Sequence, residues 1–328
     1  MLLNSLLLIP LLSTAVASVL ESNASLTEGQ WSIDHIRYER PPKLQQDWTM
    51  QRLVILPDHK LLFCYIEKVA GTSFNSLFNH IAGHKTNRLK NMWFLNDFRR
   101  RGLKMRDVIG LLGNESWHKA VFYRDPVDRF VSAYISKCVL RSKDKFSRKG
   151  SRHCKDIFGN RTATFHQALK VVSQVSAIGN AHWLQQFQFC GDLRKHLSSF
   201  ETVELLEPGT MNLKVKRMLS RASILVTEDI VAAVDQYFPL MRSDNDSSSG
   251  TSDWRRGAFT NASAEARSFF EASGGGAENL AAVVRHYIED YRLFNMTVAP
   301  WQLDMLRSPD GGFDDVLQRL PYLPQPRE

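Results

Sequence analysis

Two stretches of this 328-residue chain place cations and hydroxyls where an apolar strand hands over to a helix. In the first, Leu61-Leu62-Phe63-Cys64-Tyr65-Ile66 reads as a buried strand, Glu67 to Ser73 as a loop, and Phe74, Leu77, Phe78 and Ile81 fall at helical spacing. Lys68 opens the loop, and Gly71 lets the backbone approach an anion closely. Val69, Ala70, Thr72 and Ser73 supply N–H groups, the last two with hydroxyls. In the second, Ala120-Val121-Phe122-Tyr123 gives way to Arg124-Asp125-Pro126, then to Phe130, Val131, Tyr134 and Ile135 on one helical face. Pro126 suits a first helical turn, where its missing N–H costs nothing. Arg124 closes the strand and Ser132 lies two turns on, a pair able to grip a second phosphate. Such handovers attract anions because free N–H groups and the helix dipole present positive charge there.

Each residue has a plainer reading. Alone, Lys68 is a solvated lysine and Arg124 an ion-pair partner of Asp125 or Asp128; their joint placement after two apolar strands favours anion binding. Arg129 reads as a structural salt bridge. No Gly-x-x-x-x-Gly-Lys-Ser/Thr string exists, which weighs against an ATPase or kinase.

The elements that must position these residues alternate. Thr202 to Leu206 and Ile224 to Thr227 look like further strands around a helical stretch from Met211 to Arg221, which predicts an α/β fold with a mainly parallel sheet flanked by helices. Ser243 to Asn261 reads as a loop, Gly274-Gly275-Gly276 as a break, and Ala281 to Phe294 as one helix packed through Val284, Tyr287, Ile288, Tyr291 and Phe294. Beyond Pro300 the Pro-rich tail is expected to be peripheral. The division predicted is a leader over 1–17, or an anchor to about residue 20, a stem over 18–49, one domain over 50–298 and a tail over 299–328.

The leader decides the expected compartment. An apolar run from Leu2 to Leu12 followed by Ala15-Val16-Ala17 resembles a signal-peptidase substrate, and Leu2 to Leu20 would just span a bilayer if uncleaved. Asn-x-Ser/Thr sequons at Asn23, Asn114, Asn160, Asn245, Asn261 and Asn295 agree with a lumenal chain. Four cysteines then predict at least one disulfide among Cys138, Cys154 and Cys190, with Cys64, in a core strand, expected to be a buried free thiol. The excess of 42 Lys+Arg over 34 Asp+Glu, a net charge of +8, suits an anionic partner. Nucleic acid is set aside, since the chain shows no paired zinc-ligand spacing, RNP-like motif or long basic block.

At this point the residues carry a resemblance. Cys64-Tyr65-Ile66-Glu67-Lys68-Val69-Ala70-Gly71-Thr72 looks like the 5′-phosphosulfate loop of Golgi carbohydrate sulfotransferases of the chondroitin, dermatan and HNK-1 type. Arg124-Asp125-Pro126-Val127-Asp128-Arg129-Phe130-Val131-Ser132-Ala133-Tyr134 resembles their 3′-phosphate motif. His182-Trp183 with Cys190, and Glu289-Asp290-Tyr291-Arg292-Leu293-Phe294, are similar in the same order. The family often has Pro at the position of Glu67 and Cys at that of Gly71. A carboxylate at Glu67 repels phosphosulfate unless Lys68 or another base pairs with it.

The resemblance implies a P-loop-like fold that binds 3′-phosphoadenosine 5′-phosphosulfate (PAPS) and moves its sulfonate to a glycan hydroxyl, the acceptor being an acidic glycosaminoglycan or an N-glycan. No metal is expected. Lys68 would neutralise charge on the leaving nucleotide, the loop N–H groups and Thr72 would hold phosphosulfate oxygens, and Arg124 with Ser132 would take the 3′-phosphate. His182 is the expected general base, against a structural role beside Trp183 and against His80, His84, His118 and Glu67 as rivals. Asp253-Trp254-Arg255-Arg256-Gly257 reads as a solvated basic loop or a second nucleotide loop. A family member that binds acidic glycans without turnover is the alternative to an enzyme.

Overall fold

The computed structural model describes residues 49–84, 95, 103–139, 151–175, 178–207, 209–240, 262–307 and 313–321. The leader, the stem, the sequons at Asn23, Asn245 and Asn261, and the 253–257 segment lie outside them. In chain order the strands are β1 (Leu53–Leu56), β2 (Leu61–Cys64), β3 (His118–Tyr123) and β4 (Thr202–Leu205). The helices are α1 (Gly71–Ile81), α2 (Met105–Leu112), α3 (Pro126–Lys137), α4 (Arg152–Phe158), α5 (Phe165–Gln174), α6 (Met211–Arg221), α7 (Glu228–Tyr237), α8 (Ala262–Glu271), α9 (Gly276–His286), α10 (Ile288–Leu293), α11 (Pro300–Leu306) and α12 (Asp314–Arg319). The described residues divide into two compact units, one drawn from 49–125 and 186–240, the other from 126–185 and 262–321.

The first unit carries the sheet, in the order β1-β2-β3-β4. β2, β3 and β4 run parallel, with Cys64 opposite Val121 and Ala120 opposite Thr202; β1 adds an antiparallel edge. β2 and the middle of β3 are apolar and buried, as strands covered on both faces must be. Phe63 meets Phe74 and Phe78 of α1 at ring-centroid distances of 4.5 and 4.9 Å, and Phe74 meets Phe122 and Phe238 at 4.9 Å each. These aromatics fasten α1 to the strands on either side of its loop.

The predicted strand over Ile224 to Thr227 is absent. α6 ends in left-handed Ser223, the Ile224 N–H returns to the Leu219 carbonyl at 3.0 Å, and Thr227 caps α7 by accepting from the Ile230 N–H. A backbone already used to stop one helix and start the next has no ladder to join. β1, which the sequence pattern did not announce, takes the edge instead.

The second unit is helical. Tyr134 of α3 packs edge-on against Phe165 of α5 and Phe269 of α8 at 5.1 and 5.7 Å and donates to the Ala163 carbonyl. Its hydroxyl pKa is raised by burial. Arg129, fully buried, donates to the carbonyls of Leu184 and Ala181 at 2.7 and 3.0 Å, and Tyr287 donates to the Trp183 carbonyl at 2.6 Å, so the His182-Trp183 turn is held from two sides. The expected single helix over 281–294 is two, α9 and α10, meeting at Tyr287. Gly275 starts α9 in left-handed backbone. The tail is not peripheral throughout, because Gln302, Leu303 and Leu306 of α11 are buried.

Candidate active site

The loop after β2 is built to display donors. Lys68 and Ala70 both adopt left-handed backbone, with φ of 70° and 48°. Such a conformation costs a non-glycine residue roughly 1–2 kcal/mol and persists only where its surroundings enforce it. Val69, buried between them, anchors the loop, and its N–H donates to the Ile66 carbonyl. Ala70 is the N-cap of α1 and offers no side-chain acceptor. The first-turn N–H groups of Gly71, Thr72 and Ser73 precede the first helical hydrogen bond, from Phe74 to the Ala70 carbonyl, and point along the axis with the positive end of the dipole.

Glu67 and Gly71, the two departures from the family pattern, have one explanation. The Glu67 carboxylate accepts from Arg52 Nη1 at 2.8 Å and from the Tyr65 hydroxyl at 2.6 Å, and the Arg52 guanidinium lies 5.9 Å from the Tyr65 ring centroid. The base that neutralises Glu67 is therefore Arg52, supplied by the turn before β1, and sequence reasoning missed it because 15 residues separate the partners. Gly71 is occupied by the same assembly, since a Cβ there would run into the Tyr65 ring.

Arg124 follows β3, adjacent and parallel to β2, so it stands beside the Lys68 loop at the carboxyl edge of the sheet. Its Nη1 makes a long 3.5 Å contact with the Lys68 carbonyl. Its backbone is held by Gln186, whose Oε1 accepts from the Arg124 N–H at 3.0 Å and whose Nε2 donates to the Arg124 carbonyl at 2.8 Å.

The expected disulfide among Cys138, Cys154 and Cys190 is present, but the free thiol expected at Cys64 is not. Cys64 is bonded to Cys190 and Cys138 to Cys154, so no cysteine remains free. Burial in a strand is compatible with a disulfide when a distant turn reaches it. Cys190, in left-handed backbone at φ 55°, brings its Cα within 5.9 Å of Cys64 across 126 residues.

The structure thus brings Lys68 to Ser73 and Arg124 together within one unit. Ser132, half-buried on α3, and His182 belong to the other. The His182 ring stands edge-on to His153 at 4.7 Å and to Trp183 at 6.1 Å, and Asn180 ties the pair, accepting from the His182 N–H and bonding His153 Nδ1. Three rival bases lie far from the loop. His118 starts β3, about 20 Å down the strand from Arg124. It bonds Thr202 at 2.9 Å, and burial lowers its pKa. His80 sits in the last turn of α1, paired with Asp229 at 2.7 Å, and His84 lies beyond it. Among the described residues no three His, Cys, Asp or Glu side chains gather as metal ligands, and no helix is long and apolar enough to cross a membrane.

In open α/β sheets ligands bind at the carboxyl ends of the strands, and here neighbouring parallel strands end there in a left-handed, lysine-bearing loop and an arginine. The Sulfotransferase family model matches residues 51–296, and the chain belongs to that family. Among curated relatives, vep-2 of Caenorhabditis elegans, whose name places it with the sulfotransferases, is 23% identical over 192 residues, 52% of this chain and 58% of that protein. Carbohydrate sulfotransferase 14 of Danio rerio is 24% identical over 179 residues (49% and 47%), and that of Mus musculus 26% over 175 (48% and 45%). The chain thus spans about half the length of the curated relatives it matches. No solved structure matches it.

Proposed function

We propose that the protein is a PAPS-dependent carbohydrate sulfotransferase of the secretory pathway that sulfates a hydroxyl of an acidic glycosaminoglycan or an N-glycan. The observation that carries this reading is the adjacency of the Lys68–Ser73 loop and Arg124 at the carboxyl ends of two parallel strands. Family membership and carbohydrate sulfotransferase relatives support the chemistry.

In this reading the N–H groups of Gly71, Thr72 and Ser73 and the Thr72 hydroxyl hold the 5′-phosphosulfate, while Arg124 and Ser132 take the 3′-phosphate. His182 removes the proton of the acceptor hydroxyl as its oxygen bonds sulfur. The sulfur–oxygen bond to the nucleotide phosphate breaks, and Lys68 neutralises the charge left on that bridging oxygen. The excess of basic residues favours an acidic acceptor. Exposed sequon asparagines at Asn114 and Asn295 suit a lumenal chain. The non-enzymatic glycan-binding alternative arose from Glu67 and Gly71; Arg52 accounts for the first and Tyr65 for the second, so no observation favours it.

The test is transfer of labelled sulfate from PAPS onto desulfated chondroitin, dermatan and N-glycan acceptors by the wild type, Lys68→Ala and Arg124→Ala. Transfer that either substitution leaves intact, or no binding of PAPS by the wild type, overturns the proposal.

A further inference from the structure

Resting on that reading, we infer that Gln186 is a positioning residue for the nucleotide 3′-phosphate, acting through the backbone of Arg124. Arg124 is the last residue but one before the chain leaves the sheet unit after Asp125, and Gln186 is where it returns. At that point β3 has ended, one residue earlier, at Tyr123. A fully buried carboxamide holds both peptide groups of Arg124, accepting from the N–H at 3.0 Å and donating to the C=O at 2.8 Å of the same residue. A two-point contact of this kind fixes the rotation of the peptide units as well as their position. It therefore fixes the direction in which the arginine side chain leaves the backbone.

Gln186 is itself anchored. It opens the Gln186–Gly191 turn, whose Cys190 is bonded to Cys64, the last residue of β2 and four before Lys68. Gly191, in left-handed backbone, donates to the Thr49 hydroxyl, and a Cβ on it would press into Met50. One short turn thus holds the exit of β3 by a side chain and the exit of β2 by a covalent bond. The separation of the two proposed phosphate sites is set by this turn as well as by the strand spacing. A guanidinium is worth most to a phosphate when its fork is preorganised, because the entropy of orienting the side chain is then not lost on binding.

The experiment compares adenosine 3′,5′-bisphosphate with adenosine 5′-monophosphate by titration calorimetry on the full chain. In the wild type the ratio of the two affinities reads the 3′-phosphate contact. Gln186→Met keeps the buried volume and removes both hydrogen bonds. It is expected to reduce that ratio about tenfold while changing monophosphate affinity less than twofold. Arg124→Ala is expected to cost much less in the Gln186→Met background than alone, as for residues acting in series. If Gln186→Met does not fold, Gln186→Glu, which keeps the acceptor and loses the donor, replaces it with the same expectation. A ratio unchanged from wild type, or a loss shared equally by both nucleotides, overturns the role of Gln186. A wild type that binds the nucleotides without preferring the 3′-phosphate overturns the nucleotide reading itself, and with it this inference.

Discussion

Gly71→Ala is the smallest change that tests how the loop is held. Gly71 has ordinary helical backbone, so an added methyl meets no torsional penalty and the whole effect must come from the neighbour it strikes. That neighbour is the Tyr65 ring, which is buried and tied by its hydroxyl to Glu67. Overpacking costs about 1–3 kcal/mol. A ring displaced far enough to relieve it gives up a hydrogen bond to a charged group, about 1.5–3 kcal/mol. The expected destabilisation is about 2.5–6 kcal/mol, a large part of the stability of an ordinary domain. Urea unfolding of Gly71→Ala, Tyr65→Ala and the double variant reads it. With the ring gone the same methyl has room, so Gly71→Ala should cost less than about 1 kcal/mol in the Tyr65→Ala background. Equal cost in both backgrounds would refute the steric account, and a Gly71→Ala protein as stable as wild type would remove its basis.

Three further outcomes are expected. Arg52→Ala removes the guanidinium bonded to the Glu67 carboxylate beside the loop and should weaken adenosine 3′,5′-bisphosphate binding about tenfold, roughly 1.4 kcal/mol; adding Glu67→Gln should restore most of it, and failure of that rescue counts against neutralisation as the role of Arg52. Chain entropy assigns about 5 kcal/mol to the Cys64–Cys190 bond, 126 residues apart, and about 3 kcal/mol to Cys138–Cys154, 16 apart. The Cys64→Ala/Cys190→Ala protein should accordingly melt lower than Cys138→Ala/Cys154→Ala, and the reverse order would contradict this. Finally, burial pushes the His286 imidazole down to about 4 from 6.5, with Nδ1 bonded to the Val175 carbonyl. The unfolded chain therefore takes up this proton first as pH falls, so stability present above about pH 6.5 is lost towards pH 4, by about 3 kcal/mol. His286→Gln should flatten that part of the stability–pH curve, and an unchanged slope would show that His286 does not set it.

The parts of the site legible in the sequence were local. A strand, a lysine-bearing loop and a helix occur within Leu61–Ile81, and Arg124 follows its strand without interruption, so short-range periodicity sufficed to find both. The same reasoning failed at Ile224 to Thr227, where apolar residues serve two helix caps. It failed again at Cys64, where strand burial predicts a free thiol and a distant turn supplies Cys190 instead.

What the sequence determined by itself, then, was the presence of two strand-to-helix handovers bearing a lysine and an arginine, and the alternation that makes a mainly parallel sheet. Tertiary structure alone decided how each handover is held and which base stands beside Glu67. Arg52 reaches Glu67 across 15 residues, Gln186 reaches Arg124 across 62, and Cys190 reaches Cys64 across 126. The reason is physical. Secondary structure follows from neighbours a few residues apart, whereas charge compensation and the fixing of a backbone depend on which groups close in space, and no periodicity records that.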